Sequence, residues 1–281
     1  MAYDYGLIGT RFDRGVLFAT IQSPPINVMS AALYEELVSF TSEVEVDDSV
    51  RVVVTQSADP DFFIAHFDVE VLLAMDVSRP AVRSTELNPF HQMCERMRTM
   101  PKATIAKIAG RVGGGGSEFA ASHDMRFGVL GKTKINQMEV ALGILPGGTG
   151  TQRLPRLVGR GRAMEIVLGS DDLDAETAER WGYLNRALPE AEIDAFVEQL
   201  ALRIASFPAQ AIALGKQSVN NAEMPLGEGL LEEAFLFQQT LRTEGAQRNM
   251  KKFLEMGGQT REGEMRVGEL MAEVAAAAAK D

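Results

Sequence analysis

Four consecutive glycines at residues 113–116 are the feature that most constrains the fold of this chain. They follow an apolar segment, residues 104–109, that is typical of a buried strand, and a stretch typical of a helix begins at Ser117. Because glycine has no Cβ, the backbone here can approach a neighbouring strand or a ligand closely. The sequence therefore predicts a tightly packed strand–turn–helix unit, with the positive end of the helix facing whatever binds there.

Strand-like and helix-like segments alternate over the first two thirds of the chain. Short apolar or β-branched runs predict strands at 16–21, 50–55, 104–109, 125–129 and near Ile135. Ser30 and the pair Asn88-Pro89 predict two helix starts. Segment 69–86 has no clean periodicity and is predicted to be a mobile connection. The alternation indicates an α/β layer structure.

From residue 162 onward the pattern is almost entirely that of helices, which Phe207-Pro208 interrupts. Helices are predicted at 193–204, 210–220, 227–242 and 246–256. The alanine-rich end, residues 274–280, is predicted to be a solvent-exposed or frayed helix. We therefore expect a core of residues 1–206 that carries the functional site, and a smaller helical region, residues 207–281, that meets other subunits.

Composition excludes several classes of protein. One cysteine and three histidines, without CxxC or HxxxH spacing, cannot form a disulfide framework and give no sign of a zinc site. No apolar run reaches the 18 residues of a membrane span, and the N-terminal segment lacks the features of a signal peptide, so a cytoplasmic location is expected. The net charge of −11 argues against a nucleic-acid-binding protein.

Common glycine motifs do not fit the run at 113–116. There is no GxxxxGK[ST] sequence, and Glu118 and Phe119 stand where a GxGxxG fingerprint needs a later glycine. Ser117 lies in GGSEF, not in the GxSxG of a hydrolase nucleophile. From these residues alone, a tight turn that binds nothing remains as plausible an interpretation as a ligand site.

Two glutamates are the candidates for acid–base chemistry. Glu118 lies two residues past the glycine run, and Glu139 lies among apolar residues just before a second glycine-rich turn, residues 146–150. Either glutamate alone is more often structural than catalytic. Together they suit a hydration or dehydration, in which one group activates water and another exchanges a proton with carbon.

Three segments resemble the enoyl-CoA hydratase/isomerase (crotonase) family, in the family's order. They are the glycine-rich segment GRVGGGGSEF at 110–119, the acidic segment with the second turn, MEVALGILPGGTGTQRL, at 138–154, and the helical segment AERWGYLNRA at 178–187. The resemblance extends from about residue 16 to about residue 253. It implies the crotonase spiral of β-β-α turns with an all-helical C-terminal region, assembled as a homotrimer or hexamer.

The resemblance also implies roles for individual residues. Phe67, in a segment at 63–68 that aligns with the family's F-x-A-G-A-D, and Gly115 would supply the two backbone N–H groups of an oxyanion hole. Glu118 would hold and activate water, and Glu139 would exchange the α-proton. The implied substrate-binding residues are Ala65, His66, Asp68, Gly114, Pro146 and Gly147. No metal is implied, and no cofactor beyond the coenzyme A carried by the substrate.

Retention of both glutamates favours hydration of a 2-enoyl-CoA. Isomerases of the family can act with one carboxylate at the Glu139 position, so an isomerase or another enolate-forming enzyme stays an alternative. Aryl-CoA dehalogenases need an aspartate beyond the second turn, and no Asp or Glu lies between Val140 and Met164. A catalytically silent CoA-binding relative is the third alternative.

Several residues depart from the family pattern. His66 replaces a glycine and Phe67 an alanine, which makes the mouth of the predicted oxyanion hole bulkier; this bulk is what favours a silent relative. Glu70 stands where hydratases often carry lysine, and Arg111 replaces an aromatic residue. His66 is either a catalytic group or a packed histidine, whereas Asp68 is expected to fix its own loop and His123 to be structural.

Overall fold

The computed structural model describes residues 3–278 and consists of two sheets wrapped by helices. The strands are β1 (Ile8–Asp13), β2 (Val16–Ile21), β3 (Val52–Ser57), β4 (Phe62–Ile64), β5 (Ala103–Ile108), β6 (Arg111–Gly113), β7 (Met125–Val129), β8 (Lys134–Asn136), β9 (Leu173–Asp174) and β10 (Arg186–Leu188). The helices are α1 (Ala31–Glu45), α2 (Val69–Leu73), α3 (Pro89–Thr99), α4 (Gly114–Ala121), α5 (Gly150–Val158), α6 (Arg160–Gly169), α7 (Ala175–Trp181), α8 (Glu190–Ala205), α9 (Ala209–Asn220), α10 (Leu226–Leu241), α11 (Glu244–Glu255), α12 (Arg261–Met265) and α13 (Val267–Ala278). Short 3₁₀ turns cover Val140–Leu142 and Asn221–Glu223.

The chain winds as a spiral between the two sheets. The larger sheet has the order β1-β2-β3-β5-β7-β10 and is parallel except for β1 against β2. The smaller sheet has the order β4-β6-β8-β9 and is parallel except for β9. The pairs β3–β4, β5–β6 and β7–β8 each give one strand to each sheet before the chain enters helical structure. The predicted spiral of β-β-α turns is therefore confirmed.

The inner strands β2, β3, β5 and β7 of the larger sheet are largely buried on both faces. Leu17 and Val53 pack into the main core with α1, whereas Phe18 and Val54 pack on the opposite face against α8. Side chains of successive strand residues point to opposite faces, so a sheet covered on both sides needs apolar residues at every position. This explains the continuous apolar runs that predicted these strands.

The predicted helix starts are also confirmed. The side chains of Ser30 and Asn88 accept hydrogen bonds from the backbone N–H groups of Leu33 and His91, as N-cap residues do. Asp68 caps α2 in the same way, accepting from the N–H of Glu70, so it fixes its own loop as expected. In the described part of the chain, no helix is long and apolar enough to cross a membrane.

Three predictions of local structure were wrong. The glycine run forms the first turn of α4 and does not precede the helix. Glycine is needed in that turn because close neighbours exclude larger side chains. The pattern after residue 162 missed β9 and β10, whose two and three residues are too few to show a period. Segment 69–86 begins with α2 before an exposed irregular stretch.

The alanine-rich end corrects a further prediction. Within α13, Leu270, Val274 and Ala275 are buried, so this helix packs one face against the protein and is neither frayed nor free in solvent as far as Ala278. The last part of the predicted segment, Ala279 and Lys280, lies outside the described residues. Alanine suits such close packing because its small side chain loses no rotamer freedom on burial.

Candidate active site

Close packing brings the start of α4 against the segment that follows β4. A Cβ atom on Gly116 would lie 2.6 Å from the carbonyl oxygen of Ile64, and one on Gly115 would lie 2.9 Å from the Cβ of Phe67. Real Cβ atoms do not approach other atoms so closely, so only glycine fits here. The run therefore lets the first turn of α4 lie directly beside residues 64–67.

Two backbone N–H groups become available at this contact. Met29 forms an isolated bridge with Phe67 in which the N–H of Met29 donates to the carbonyl of His66, 2.8 Å away. A peptide's N–H points opposite to its C=O, so the N–H of Phe67 points away from Met29. Gly115 is the second residue of α4, where N–H groups have no acceptor within the helix. A Cβ on Gly115 would lie 3.5 Å from the nitrogen of Phe67, so these two donors are neighbours.

Glu118 is held by the second glycine-rich turn. Its Oε1 accepts hydrogen bonds from three successive backbone N–H groups, those of Gly148, Thr149 and Gly150, at 2.8, 2.9 and 2.7 Å. The residue is 3% exposed, and burial raises its pKa to about 7, against the lowering effect of these three donors. Glu118 is therefore a fixed carboxyl group that changes charge near neutral pH.

Glu139 lies beside the glycine run on the other side of the site. A Cβ on Gly114 would lie 3.1 Å from its Oε1, and its Oε2 is buried with no hydrogen-bond partner among the described residues. Burial raises the pKa of Glu139, and the nearby charge of His66 opposes that rise. The charge of Glu139 in turn contributes to the raised pKa of Glu118. The two glutamates therefore interact electrostatically within one site.

An apolar cavity of about 400 Å³ joins these groups. Glu118, Glu139, Phe67 and Gly115 line one part of it. The remaining walls are mainly apolar and come from four segments of the chain; they include Tyr34, Leu72, Met75, Phe90, Ile144 and Leu145. Both carboxyl groups and both candidate oxyanion donors therefore face a single space that an apolar group can fill.

Three aromatic rings form part of the cavity wall. The ring centroids of Tyr34, Phe67 and Phe90 lie 5.8–6.0 Å apart in pairs. The sequence identified Phe67 for its backbone only, and it missed Tyr34 and Phe90 as site residues. Tyr34 and Phe90 lie on the helices α1 and α3, and helical periodicity does not distinguish a core position from a cavity wall.

Some of the predicted substrate-binding residues line the cavity, and others do not. Gly147 lines the cavity, and Gly114 lines a small extension of it next to Glu139. Ala65 lines a separate cavity, and Pro146 packs against Gly150. Asp68 is the cap of α2 and does not line either space.

His66 lies between the apolar cavity lined by the two glutamates and a second cavity. It lines the small extension together with Glu139, and it also lines the separate cavity of about 250 Å³ with Arg111 and Lys134. Its Nδ1 is 2.9 Å from the carbonyl oxygen of Phe67. Because a carbonyl only accepts, Nδ1 donates a hydrogen bond to it, and Nε2 is the ring nitrogen that can take up a second proton.

Comparison with known proteins places this geometry in a family. The family model for enoyl-CoA hydratase/isomerase matches residues 11–262. The chain belongs to the enoyl-CoA hydratase/isomerase family. A provisionally named enoyl-CoA hydratase of Mycobacterium tuberculosis is 30% identical over 254 residues, which are 89% of this chain and 96% of that protein. The short-chain-enoyl-CoA hydratase of Clostridium acetobutylicum is 29% identical over 243 residues, 85% of this chain and 91% of that protein.

Solved structures agree with the assignment to the enoyl-CoA hydratase/isomerase family. The crystal structure of a provisionally named enoyl-CoA hydratase from Streptomyces avermitilis is 39% identical, with a TM-score of 0.72, and the match covers 97% of this chain and 100% of that one. An enoyl-CoA hydratase from Geobacillus kaustophilus superposes with a TM-score of 0.82 at 26% identity, covering 90% and 95% of the two chains. The resemblance inferred from the three motifs is thus confirmed.

Two other buried polar residues of this family member, His123 and Ser117, are bonded within the protein. His123 bonds through one ring nitrogen to the carbonyl of Phe119 and through the other to the hydroxyl of Thr55, at 3.0 and 2.9 Å. Ser117 bonds to the hydroxyl of Tyr183. Within residues 3–278, no cluster of three His, Cys, Asp or Glu side chains could hold a metal ion.

Proposed function

We propose that this protein adds water to the double bond of a 2-enoyl-CoA thioester. The observation that carries the proposal is that two buried glutamates, Glu118 and Glu139, line one apolar cavity together with Phe67 and Gly115, whose backbone N–H groups are neighbours. Hydration needs a base for water, an acid for the α-carbon, and donors for the oxygen that becomes negative between the two steps. An isomerisation would need only one of the two carboxyl groups.

The hydrogen bonds suggest a division of labour between the glutamates. In the proposed reaction, ionised Glu118 takes a proton from water as the water oxygen bonds to C3 of the substrate. The electrons of the double bond move to the thioester oxygen, which the N–H groups of Phe67 and Gly115 bind. Protonated Glu139 then gives its proton to C2 as the carbonyl re-forms. Burial raises the pKa of both glutamates, but three N–H donors oppose that rise at Glu118, and this supports Glu118 as the base and Glu139 as the acid.

The walls of the cavity support an apolar acyl group as the substrate's variable part. Tyr34, Phe90 and Leu72 contribute aromatic and aliphatic surface, and about 400 Å³ is ample for more than a four-carbon acyl chain. Burying apolar surface of the substrate contributes about 25 cal/mol per Å². The bulky side chain of Phe67 leaves this space open, which favours an active enzyme over a silent relative.

The anionic end of coenzyme A is proposed to lie toward the second cavity. Arg111 and Lys134 line this cavity, and His66 separates it from the reaction site. These cations offer local attraction that the overall charge of −11 does not. Arg111 also makes an ion pair with Asp172, so Lys134 is the more available of the two cations. Substituting Lys134 by alanine is expected to raise KM and leave kcat nearly unchanged.

We further propose that the protein assembles through its C-terminal helices. Several large apolar side chains of α10 are exposed in the single chain, among them Leu230, Leu231, Phe235 and Phe237. An apolar surface of this kind on a helix is typical of a contact with another chain. Light scattering of the purified protein would give the mass, with a trimer or hexamer expected. The variant Leu231→Glu is expected to shift that mass toward the monomer.

The experiment that tests the reaction follows loss of the conjugated enoyl-thioester absorbance with crotonyl-CoA and longer 2-enoyl-CoAs. Fast loss in the wild type, abolished in Glu118→Gln and Glu139→Gln, is the expected result. A 3-enoyl-CoA should be tested in parallel. Gain of absorbance from that compound, retained in Glu118→Gln, would identify a double-bond isomerase instead. Binding of acyl-CoA with no reaction of either compound would identify a silent relative.

A further inference from the structure

His66 is a departure from the family pattern that lies beside the candidate acid, Glu139. Its Cβ and the Oε1 of Glu139 lie 3.3 and 3.1 Å from the position that a Cβ on Gly114 would take, so they flank the same glycine. Both residues also line the same small cavity of about 30 Å³. The ring is held in place because Nδ1 donates to the carbonyl of Phe67.

Ionisation of the buried Glu139 is energetically costly, and a neighbour such as His66 would reduce that cost. A buried carboxylate oxygen without a hydrogen-bond partner is costly to ionise, and a group that resists ionisation is a weak proton donor. Proton donation to the substrate leaves Glu139 ionised in this position. The backbone N–H of Glu139 itself donates one hydrogen bond that favours the ionised form, and a neighbouring side chain can further stabilise the negative charge that appears there.

His66 is the group placed to do so. The other ionisable group near Glu139 is Glu118 on α4, whose charge has the wrong sign. From α2 and the 3₁₀ turn, only apolar side chains face the shared space: Val69, Leu72, Leu142 and Ile144. On the far side of His66, in the second cavity, Arg111 of β6 and Lys134 of β8 are the charged neighbours.

We propose that His66 is a positioning residue that stabilises the ionised form of Glu139 and so makes its proton available to the α-carbon of the substrate. The inference rests on the proposed enolate chemistry and assigns no contact between His66 and the reacting atoms. It predicts that removal of the ring weakens Glu139 as an acid, in addition to any change in packing.

The test measures exchange of the α-protons of butyryl-CoA in D₂O by NMR as a function of pH. This saturated thioester cannot be hydrated, so the exchange reports Glu139 and the oxyanion donors without needing Glu118 to activate water. The rate rises with pH as Glu139 ionises. In His66→Gln and His66→Ala we expect that rise to move up by about one pH unit, with an unchanged plateau at high pH. Exchange on the acid side should then fall about tenfold.

Two further variants separate charge from packing. His66→Lys supplies a cation and is expected to keep the rise at or below the wild-type pH. His91→Gln is the matched control, because His91 also bonds to a backbone carbonyl at the rim, that of Gly147 at 2.8 Å, and does not face Glu139. Circular dichroism and butyryl-CoA affinity establish that each variant is folded.

The outcomes distinguish this inference from the proposed function. The role of His66 would be overturned if the rise in exchange rate occurred at the wild-type pH in both His66→Gln and His66→Ala. It would also be overturned if His66→Lys and the neutral variants all lost the same share of the plateau rate. Exchange without hydration of any 2-enoyl-CoA would overturn the hydratase and leave His66 testable. Absence of exchange from the wild type, despite binding, would overturn the enolate chemistry and this inference with it.

Discussion

Two sets of buried titratable groups lie near opposite ends of α4, and they differ in how completely they are bonded. At the C-terminal end, both ring nitrogens of His123 have partners, and burial lowers the pKa of this residue to about 3, so the ring is neutral. At the N-terminal end, Glu139 keeps an unpartnered buried oxygen. Both places are buried, so burial alone does not distinguish a functional site from a structural one.

The neighbours of His123 follow the same rule. Asp124 accepts from the N–H of Thr104 and forms an ion pair with Lys216 at 2.9 Å. Arg126 donates to the carbonyls of Tyr183 and His123. These charges are paired or hydrogen-bonded within the protein, although the same residues line a cavity of about 420 Å³. We conclude that the functional site is marked by a buried polar atom that lacks a hydrogen-bond partner and faces a cavity.

The largest expected effect is that of Glu139→Gln. Glutamine has nearly the same shape but cannot exchange a proton, so turnover of a 2-enoyl-CoA should fall by about 10³-fold, within the range of general acid catalysis. Acyl-CoA affinity should change little, and the free energy of unfolding should not decrease, because a buried carboxyl group without a partner is removed. Steady-state kinetics and chemical denaturation measure both quantities.

A loss of stability without a loss of turnover would reverse the assignment of the two regions, since Glu139 would then be the structural group. His123→Gln is the matched control, as it changes a buried polar side chain on the structural side of α4. That variant should keep its turnover per folded molecule.

The next effect concerns the turn that holds Glu118. A Cβ on Gly148 would collide with Oε2 of Glu118 and with the ring of Phe90. Gly148→Ala should therefore displace the carboxyl group, and a displacement of about 1 Å costs about 10²-fold in rate. Gly161→Ala in α6 is the control, because nothing lies within 4 Å of the added atom. Equal activity of the two variants would show that the position of Glu118 does not matter.

Much of this architecture follows from the sequence, and the exceptions have physical reasons. The strands of the larger sheet are continuous apolar runs because both faces are buried, so β2, β3, β5 and β7 were predictable. The strands β4, β6, β9 and β10 have only two or three residues and gain their order from pairing with distant strands. No local pattern records that pairing.

The candidate site was predictable in its chemical groups but not in its walls. Glu118 and Glu139 were identified by motif, and the structure brings them to one cavity. Tyr34 and Phe90 come from α1 and α3, which meet the site only through tertiary packing. The nearness of His66 to Glu139 depends on a turn of α4 that only glycines permit, so it also became visible only in three dimensions.

A moderate effect on stability is expected from His123→Leu. The substitution leaves the hydroxyl of Thr55 without its buried partner, whereas the carbonyl of Phe119 keeps the hydrogen bond from the N–H of Ser122. An unsatisfied buried group costs about 1–3 kcal/mol, so the free energy of unfolding should fall by about 2 kcal/mol. The double variant with Thr55→Val should recover part of the loss. If the single variant were as stable as the wild type but inactive, His123 would belong to the functional region.

The smallest expected effect concerns the pH dependence of the free energy of unfolding. The contributions of His123 and Glu118 to that dependence should have opposite signs. The pKa of His123 is lowered from 6.5 to about 3 by folding, so between these values the unfolded chain binds more protons, and stability is lost as pH falls. The pKa of Glu118 is raised from 4.5 to about 7, so between these values the folded chain binds more protons, and stability is lost as pH rises.

Each group contributes a slope of at most about 1.4 kcal/mol per pH unit, which is measurable as a difference between wild type and variant. Subtracting the curve of His123→Leu from that of the wild type should leave a contribution that increases with pH from about 4 to 6. The same subtraction with Glu118→Gln should leave one that decreases over that interval. Slopes of the same sign would mean that the three N–H donors of Glu118 outweigh its burial and keep it ionised over this interval, which would remove the contrast between the two regions.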